Sequence, residues 1–366
     1  MKKFVSPVML LAFIQFTGPH KFPSDIKNNI RSAGNLFIVT IDGFRWQEIF
    51  SGADSAIINN DEFTSDTATL KMLYWDSHAE ERRKRLMPFF WNVISRKGQI
   101  FGNRQFDNKV NVANDYAISY PGYNEIFTGN TDPWVSSNEK YPNPNMNVLE
   151  YLESKPAFKG KVAAFTSWEV FPYILNKERN EVFINSGYQR LSGEKSSREV
   201  KLINSVQEEA DNKATTRFDQ LTFLAAKEYL KKYHPRIFFL GLGETDEFAH
   251  EGRYDLYLNQ ANQTDKMIAE LWHWIQTTPG YKDNTTLLIT TDHGRGKKPG
   301  KWTSHGKYIK GSSETWMALM GPGIQASGEI KEEGQLYEIQ IAQTIACLVG
   351  EEFVSPHSTA PAISLR

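Results

Sequence analysis

Cysteine is almost absent from this chain of 366 residues, which contains only Cys347. A single cysteine excludes an intramolecular disulfide and any zinc site built from several thiolates. A metal ion in this protein would therefore need histidine and carboxylate ligands. Cys347 lies in the segment IAQTIACLV, whose apolar residues have helical spacing, and this pattern predicts a buried core thiol.

The chain also lacks an excess of charge of either sign. Its 42 Lys and Arg residues nearly balance 43 Asp and Glu residues, which leaves a net charge of −1. This balance removes the electrostatic argument for a general nucleic-acid-binding protein, so no nucleic-acid polymer is expected as a partner. With 40% apolar and 13% aromatic residues, the composition excludes a largely disordered chain.

Apolar runs long enough to cross a membrane, which takes about 20 residues, are lacking as well. The candidate at the start of the chain is the mostly apolar run 4–16, which follows Lys2 and Lys3. A short apolar run behind basic residues is typical of a secretory signal, so residues 1–20 are predicted to be a signal peptide. The alternative is a buried N-terminal strand or helix. We therefore expect an exported protein, periplasmic or secreted, with no transmembrane segment in the mature chain.

Short apolar runs alternate with amphipathic helical patterns along most of the chain. Runs that stop at turn residues predict strands at 35–41, 161–165, 236–242, 285–291 and 316–320. Strands that are apolar at nearly every position are typical of a parallel sheet covered on both faces. Helical patterns lie at 88–98, 218–225, 255–276 and 336–349. The sequence therefore predicts an α/β fold, with a doubly wound, mostly parallel central sheet and helices on both faces.

Acidic residues and histidines follow these predicted strands. An aspartate directly follows the first strand, an Asp-x-x-x-His follows run 236–242, an Asp-His follows run 285–291, and GKWTSHGKY holds another histidine. These residues are Asp42, Asp246, His250, Asp292, His293 and His305. Taken singly, each also fits turn chemistry or a surface pair on a helix. Together, at one edge of a doubly wound sheet, the six residues provide enough ligands for two divalent ions of the zinc type. Each ion would keep open positions for substrate.

A candidate nucleophile lies in the segment ANDYAISYPGYNEIFTGN. Ser119 precedes Pro121 and Gly122 and a predicted helix that ends near Thr128. A serine at a helix N-terminus gains from the local positive potential, and coordination to a metal favours its alkoxide. The alternative interpretation is that Ser119 caps the helix, and a capping role is compatible with the first one.

This set of motifs, in this order, resembles the alkaline phosphatase superfamily of metalloenzymes. It is most similar to the nucleotide pyrophosphatase/phosphodiesterase-like branch, and the resemblance spans residues 35–324. It implies that residues 33–355 form one alkaline phosphatase-like catalytic domain. The segment at about 130–210, rich in Asn, Ser, Pro and Lys, is expected to add elaborations to the edge of the sheet.

The resemblance also implies roles for individual residues. One ion would have the ligands Asp246, His250 and His305. The other would have the ligands Asp42, Asp292 and His293, with Ser119 as the fourth. Zinc is the expected metal for both, and manganese is possible.

Contacts to the substrate are less sharply implied. Asn138 falls near the place where this branch has an asparagine that hydrogen-bonds a phosphoryl oxygen, and Asn124 is a rival for that contact. Aromatic residues near the motifs are candidates for stacking on a base or sugar, although core packing explains them equally well. They are Phe44, Trp46, Tyr120, Tyr123 and Trp302.

Two departures from the family bear on function. The diesterase branch commonly has a Thr nucleophile where this chain has Ser119, and Tyr123 stands where a sulfatase motif has an arginine. The resemblance therefore implies a metal-dependent phosphoric-ester hydrolase, a phosphodiesterase or phosphomonoesterase acting on a small-molecule phosphate ester through a phosphoserine. The alternatives are a phospho- or phosphoethanolamine-transferase or a sulfuric-ester hydrolase on the same scaffold, and a silent binding protein. The sequence does not indicate an oligomeric state.

Overall fold

A computed structural model of the chain describes residues 32–191, 197–210 and 215–365. The predicted signal peptide, residues 1–20, lies outside these ranges. None of the helices within them combines the length and the apolar character that a membrane span requires.

The centre of the described fold is an eight-stranded sheet, accompanied by a three-stranded one. The strands are β1 (Asn35–Ile41), β2 (Gly98–Phe101), β3 (Asn108–Asn111), β4 (Val162–Thr166), β5 (Phe183–Ser186), β6 (Ile237–Leu242), β7 (Thr285–Thr290), β8 (Glu314–Thr315), β9 (Met317–Met320), β10 (Gly328–Glu329) and β11 (Gly334–Tyr337). The large sheet has the order β10-β2-β9-β7-β1-β6-β4-β5, and the small one has the order β11-β3-β8. The neighbours β7-β1-β6-β4-β5 are all parallel, whereas β9 is antiparallel to both β7 and β2. The predicted α/β fold with a mostly parallel central sheet is thus confirmed.

Strand β1 shows why the sheet is covered on both faces. Each of its seven residues is buried. Phe37, Val39 and Ile41 point into one hydrophobic cluster, and Leu36 and Ile38 point into a second cluster on the opposite face. Because successive side chains of a strand point to opposite faces, a strand between two cores has to be apolar throughout.

Ile38→Ala tests this central packing. Ile38 is fully buried and pairs in register with Phe239 of β6 and Leu288 of β7. We expect the free energy of unfolding to fall by about 2–5 kcal/mol, since truncation leaves a cavity between two layers. Urea denaturation measures the change, with Leu202→Ala as the control because that side chain is 64% exposed. If Ile38→Ala lowers the free energy of unfolding no more than Leu202→Ala does, the prediction that β1 lies between two hydrophobic cores is contradicted.

Helices surround the sheet and agree in part with the predicted ones. They are α1 (Trp46–Ser51), α2 (Ser55–Ile58), α3 (Thr67–Tyr74), α4 (Ala79–Leu86), α5 (Ser95–Lys97), α6 (Ser119–Thr128), α7 (Val148–Glu153), α8 (Phe171–Ile174), α9 (Arg198–Glu209), α10 (Asp219–Tyr233), α11 (Glu244–His250), α12 (Tyr254–Thr277) and α13 (Ile341–Leu348), with a π-helical turn at Phe90–Ile94. The pattern 255–276 is confirmed as α12. The start of the pattern 336–349 is wrong, because β11 and a 3₁₀ turn precede α13. Cys347 on α13 is half-buried rather than fully buried.

The segment at about 130–210 does more than extend the sheet's edge. It contains β4, which pairs directly with β6 inside the sheet, and β5, which forms the end of the strand order. Part of this segment is therefore integral to the parallel half of the sheet.

Candidate metal centre

The carboxyl ends of β1, β6 and β7 lie side by side, because these strands are parallel neighbours. The six predicted metal ligands collect at this edge in two groups of three. One group, here called the buried triad, is Asp42, Asp292 and His293, and the other, the outer triad, is Asp246, His250 and His305. The ligand atoms within each triad lie within 4.8 Å of one another.

The buried triad is closed to solvent and well suited to a cation. His293 Nδ1 donates to the carbonyl of Gly294 at 3.0 Å, which leaves Nε2 with its lone pair. This Nε2 lies 3.5 Å from Asp42 Oδ1 and 3.5 Å from Asp292 Oδ2. Both oxygens are buried without a hydrogen-bond partner in the part of the chain that the structure describes. Unpaired buried carboxylate oxygens beside an imidazole nitrogen fit a divalent metal ion, which would satisfy all three.

The outer triad is more open. The His250 side chain is 49% exposed, and its Nε2 lies 3.1 Å from Asp246 Oδ2. His305 Nδ1 donates to the carbonyl of Ala117 at 3.2 Å, so its Nε2 faces His250 Nε2 at 3.0 Å. Two imidazole nitrogens and a carboxylate that converge on one point also form a donor set for a zinc-type ion.

The two triads adjoin each other. The rings of His293 and His305 stack with centroids 3.8 Å apart. His293 Nε2 also lies 3.8 Å from Asp246 Oδ1. Two ions held this close together are able to act on a single bound group.

Ser119 is the first residue of α6, and its Oγ lies 3.3 Å from His293 Nε2. The cap position is occupied by Ile118, whose side chain accepts no hydrogen bond, so the alternative role of Ser119 as a cap is not seen. Gly122 lets α6 approach the end of β7, since a Cβ at this position would lie 2.2 Å from the carbonyl oxygen of Asp292. The close approach brings the positive end of the helix to the metal ligands.

Burial controls the acid–base chemistry of both triads in the metal-free protein. It raises the pKa of Asp292 to about 8, assisted by the charge of Asp246, and raises the pKa of Asp42 well above its ordinary value. Burial lowers the pKa of His293 well below its ordinary value and that of His305 to about 4. Neutral imidazoles are the form that binds metals, and a nearby dication favours the ionised form of the carboxyls.

The structure adds Arg295, which sequence reasoning missed. Its guanidinium donates from Nη1 to Asp246 Oδ1, and from Nε and Nη2 to the carbonyls of Trp302 and Thr303 at 2.9 and 2.6 Å. Burial by itself would raise the pKa of Asp246, but Arg295 and then His305 hold it well below its ordinary value. The feature of the sequence that could have identified Arg295 is its position directly after Asp-His-Gly.

Asn138 and Asn124 differ in their surroundings. Asn138 is exposed, and its Oδ1 accepts a hydrogen bond of 2.9 Å from the backbone N–H of Tyr120 in the first turn of α6. Asn124 is buried; its Nδ2 donates to the carbonyl of Asn130 at 2.8 Å, and its Oδ1 accepts from Asn143 Nδ2 at 3.0 Å. Asn138 thus lies at the surface beside the first turn of α6, whereas the Asn124 amide links buried segments of the chain.

Most of the aromatic residues suggested for stacking are packed inside. Phe44, Tyr120, Tyr123 and Trp302 are buried, and the hydroxyl of Tyr123 donates to Asp42 Oδ2 at 3.0 Å. The core-packing interpretation therefore holds for these four residues, and Tyr123 also orients Asp42, a candidate metal ligand.

Comparisons with known proteins agree with this fold. The wild-type alkaline phosphatase PafA is 10% identical over 92% of this chain and 99% of its own, with a TM-score of 0.60. A phosphonate monoester hydrolase from Silicibacter pomeroyi is 12% identical over 87% of this chain and 74% of its own, with a TM-score of 0.53. The corresponding enzyme from Agrobacterium radiobacter is 11% identical over 86% of this chain and 73% of its own, with a TM-score of 0.51.

These identities show a shared fold and do not single out the nucleotide pyrophosphatase/phosphodiesterase-like branch. No curated protein sequence matches the chain. The family model of the Metalloenzyme superfamily matches residues 46–347, a range that holds Ser119 and the whole outer triad. Because this match covers most of the 366 residues, the chain belongs to the Metalloenzyme superfamily.

Proposed function

We propose that this protein hydrolyses phosphoric esters, with metal ions held by the two triads and Ser119 as the nucleophile. The observation that carries the proposal is the Ser119 hydroxyl, which lies at the N-terminus of α6 and 3.3 Å from a nitrogen of the buried triad. The names of the fold neighbours, an alkaline phosphatase and phosphonate monoester hydrolases, add support for ester hydrolysis at phosphorus.

The residues present indicate how the metals would be held. The buried triad together with Ser119 would bind one ion, and the outer triad would bind the other. Histidine and carboxylate ligands suit zinc, which we propose, and also accept manganese. When bound, the ions supply positive charge that favours the ionised Ser119 hydroxyl and the charge developing on the phosphoryl group.

The reaction would take place in two steps at phosphorus, attack by Ser119 and then attack by water. Ser119 loses its proton and forms a bond from Oγ to phosphorus as the ester bond breaks, and the ester oxygen takes up a proton and leaves as an alcohol. Water then attacks phosphorus as the bond from Ser119 Oγ to phosphorus breaks; Oγ takes up a proton, which restores the hydroxyl, and the phosphate product leaves. The positive potential at the start of α6 would stabilise the charge on the phosphoryl group, and Asn138 Nδ2, whose Oδ1 is bonded to the Tyr120 N–H in the first turn, would donate a hydrogen bond to a phosphoryl oxygen.

A comparison of three substrates tests the proposal. The purified protein, supplied with zinc, is assayed on p-nitrophenyl phosphate, bis-p-nitrophenyl phosphate and p-nitrophenyl sulfate. We expect turnover of at least one phosphate ester, and the ratio of the first two rates gives the monoester or diester preference. Faster turnover of the sulfate, or no turnover of any of the three by the metal-loaded protein, would contradict the proposal.

Asn138→Ala is expected to lower kcat/KM for the preferred ester about 10- to 100-fold. The reason is the loss of a hydrogen bond to a charged phosphoryl oxygen, which is worth about 1.5–3 kcal/mol. Because Asn138 is exposed but accepts a hydrogen bond from the Tyr120 N–H, the thermal unfolding temperature should fall only slightly. Asn124→Ala should show the reverse pattern, with lower stability, and Ser136→Ala in the Asn138 loop serves as the control. The assignment fails if Asn138→Ala turns over ester at the wild-type rate.

A further inference from the structure

We propose that the two triads bind their ions with unequal affinity, because Arg295 competes for Asp246. The buried triad would then hold its ion tightly, and the outer triad would hold an exchangeable one. This inference rests on the proposed metal sites and adds an order of loading to them.

The carboxylates of the buried triad, Asp42 and Asp292, do not pair with a lysine or arginine in the described structure. Each has a buried oxygen with no hydrogen-bond partner there. An entering dication therefore satisfies two unpaired oxygens and displaces no lysine or arginine. The site is also closed, since the side chains of Asp292 and His293 have no exposure, which slows the release of a bound ion.

The outer triad already contacts a positive charge, the Arg295 guanidinium. The Arg295 side chain is fully buried and donates through Nη1 to Asp246 Oδ1. Its other two nitrogens donate to the carbonyls of Trp302 and Thr303. These hydrogen bonds keep the guanidinium beside Asp246 when an ion binds. The ion then shares Asp246 with a cation in contact with it, and the repulsion between the two positive charges weakens its binding.

The exposure of His250 also weakens the binding of an ion to the outer triad. The His250 side chain is 49% exposed, so water can replace this ligand. The carbonyls that hold Arg295 belong to the segment that carries His305, so the arginine also joins the segments that supply the outer ligands. Arg295 is therefore a positioning residue whose charge sets the affinity of the outer site.

A calorimetric titration of the metal-free full chain with Zn²⁺, in a competing chelator, measures both affinities. We expect two binding events whose dissociation constants differ at least about tenfold. Asp292→Asn should remove the tighter event and His250→Ala the weaker one. Co²⁺ absorption, which reports the ligands around each ion, should follow the same order.

Variants at Arg295 test the cause of the difference. Arg295→Met should tighten the weaker event about tenfold or more, whereas Arg295→Lys, which keeps the charge, should stay nearer the wild type. Arg83→Met is the matched control, because Arg83 also bonds a carboxylate, Glu329, and a backbone carbonyl, that of Phe50. It should change neither event.

Several outcomes separate this inference from the proposed function. Equal affinities in the wild type, or a weaker event that is unchanged or loosened in Arg295→Met, would overturn the inference while leaving the hydrolase proposal intact. An absence of Zn²⁺ binding would overturn both. If Arg295→Met does not fold, the wild-type and His250→Ala titrations still decide the order of loading.

Discussion

Ser119→Ala is expected to reduce kcat on phosphate esters by about three orders of magnitude or more, with little change in stability. Removing a nucleophile that forms a covalent intermediate abolishes the chemical step rather than weakening binding. The hydroxyl lies in the first turn of α6 beside His293 and caps no helix, so its loss leaves the packing of the helix in place. Steady-state kinetics together with thermal unfolding separates the two effects.

Two companion variants sharpen this test. Ser119→Thr keeps a hydroxyl and should retain far more activity than Ser119→Ala. Ser95→Ala removes a hydroxyl that donates to the carbonyl of Trp91 in a helix away from the triads, and should keep full activity. Acid-quenched enzyme should carry a phosphoryl group on Ser119, detectable by peptide mass spectrometry. A Ser119→Ala protein that keeps wild-type kcat would remove Ser119 from the mechanism.

Chelation of the metal ions is expected to abolish turnover and to destabilise the protein increasingly as the pH rises from 6.5 to 8. Burial, with help from Asp246, raises the pKa of Asp292 to about 8, compared with an ordinary value of 3.8. Without metal, the folded protein keeps this proton near pH 6.5 and the unfolded chain does not. The folded state therefore binds more protons, and the free energy of unfolding falls as pH rises through the folded pKa. The slope for one such group approaches about 1.4 kcal/mol per pH unit.

The histidines of the site do not mask this effect in that range. Burial lowers the pKa of His293 well below its ordinary value and that of His305 to about 4, so both contribute the opposite slope only below about pH 6.5. Other carboxyls whose pKa burial raises to about 7 titrate alike in loaded and chelated protein and cancel in the difference. These are Glu125, Asp219 and Asp265.

Urea denaturation of the loaded and chelated protein at three pH values measures the prediction. The stabilisation by metal should grow by about 1–2 kcal/mol between pH 6.5 and 8, because a bound dication keeps Asp292 ionised. Asp292→Asn, which has the same shape and no titrating group, should lose the part of this growth that comes from Asp292, while Asp42, whose pKa burial also raises, keeps its own part. A stabilisation that is constant across the pH range, with metal binding verified, would contradict the assignment of Asp292 as a ligand.

The strands were predictable because the parallel part of the sheet lies between two cores. The runs 236–242 and 285–291 match β6 and β7 to within one residue at each end, since a strand buried on both faces has to be apolar at successive positions. The strand β9 was also found, but its antiparallel direction was not. An apolar run has the same pattern in either direction, and direction depends on the path of the intervening chain.

The sequence by itself determined which residues stand at the carboxyl ends of β1, β6 and β7, because a residue's position relative to its own strand is a local property. It also indicated that Ser119 lies at the N-terminus of a helix that ends near Thr128. Only the tertiary structure decided how these pieces meet, including the exposure of Asn138 and the burial of Asn124. It alone placed Arg295 against Asp246, 49 residues away in the chain. Such pairings arise from packing between segments that are distant in the chain, so they cannot be predicted from the local spacing of residue types.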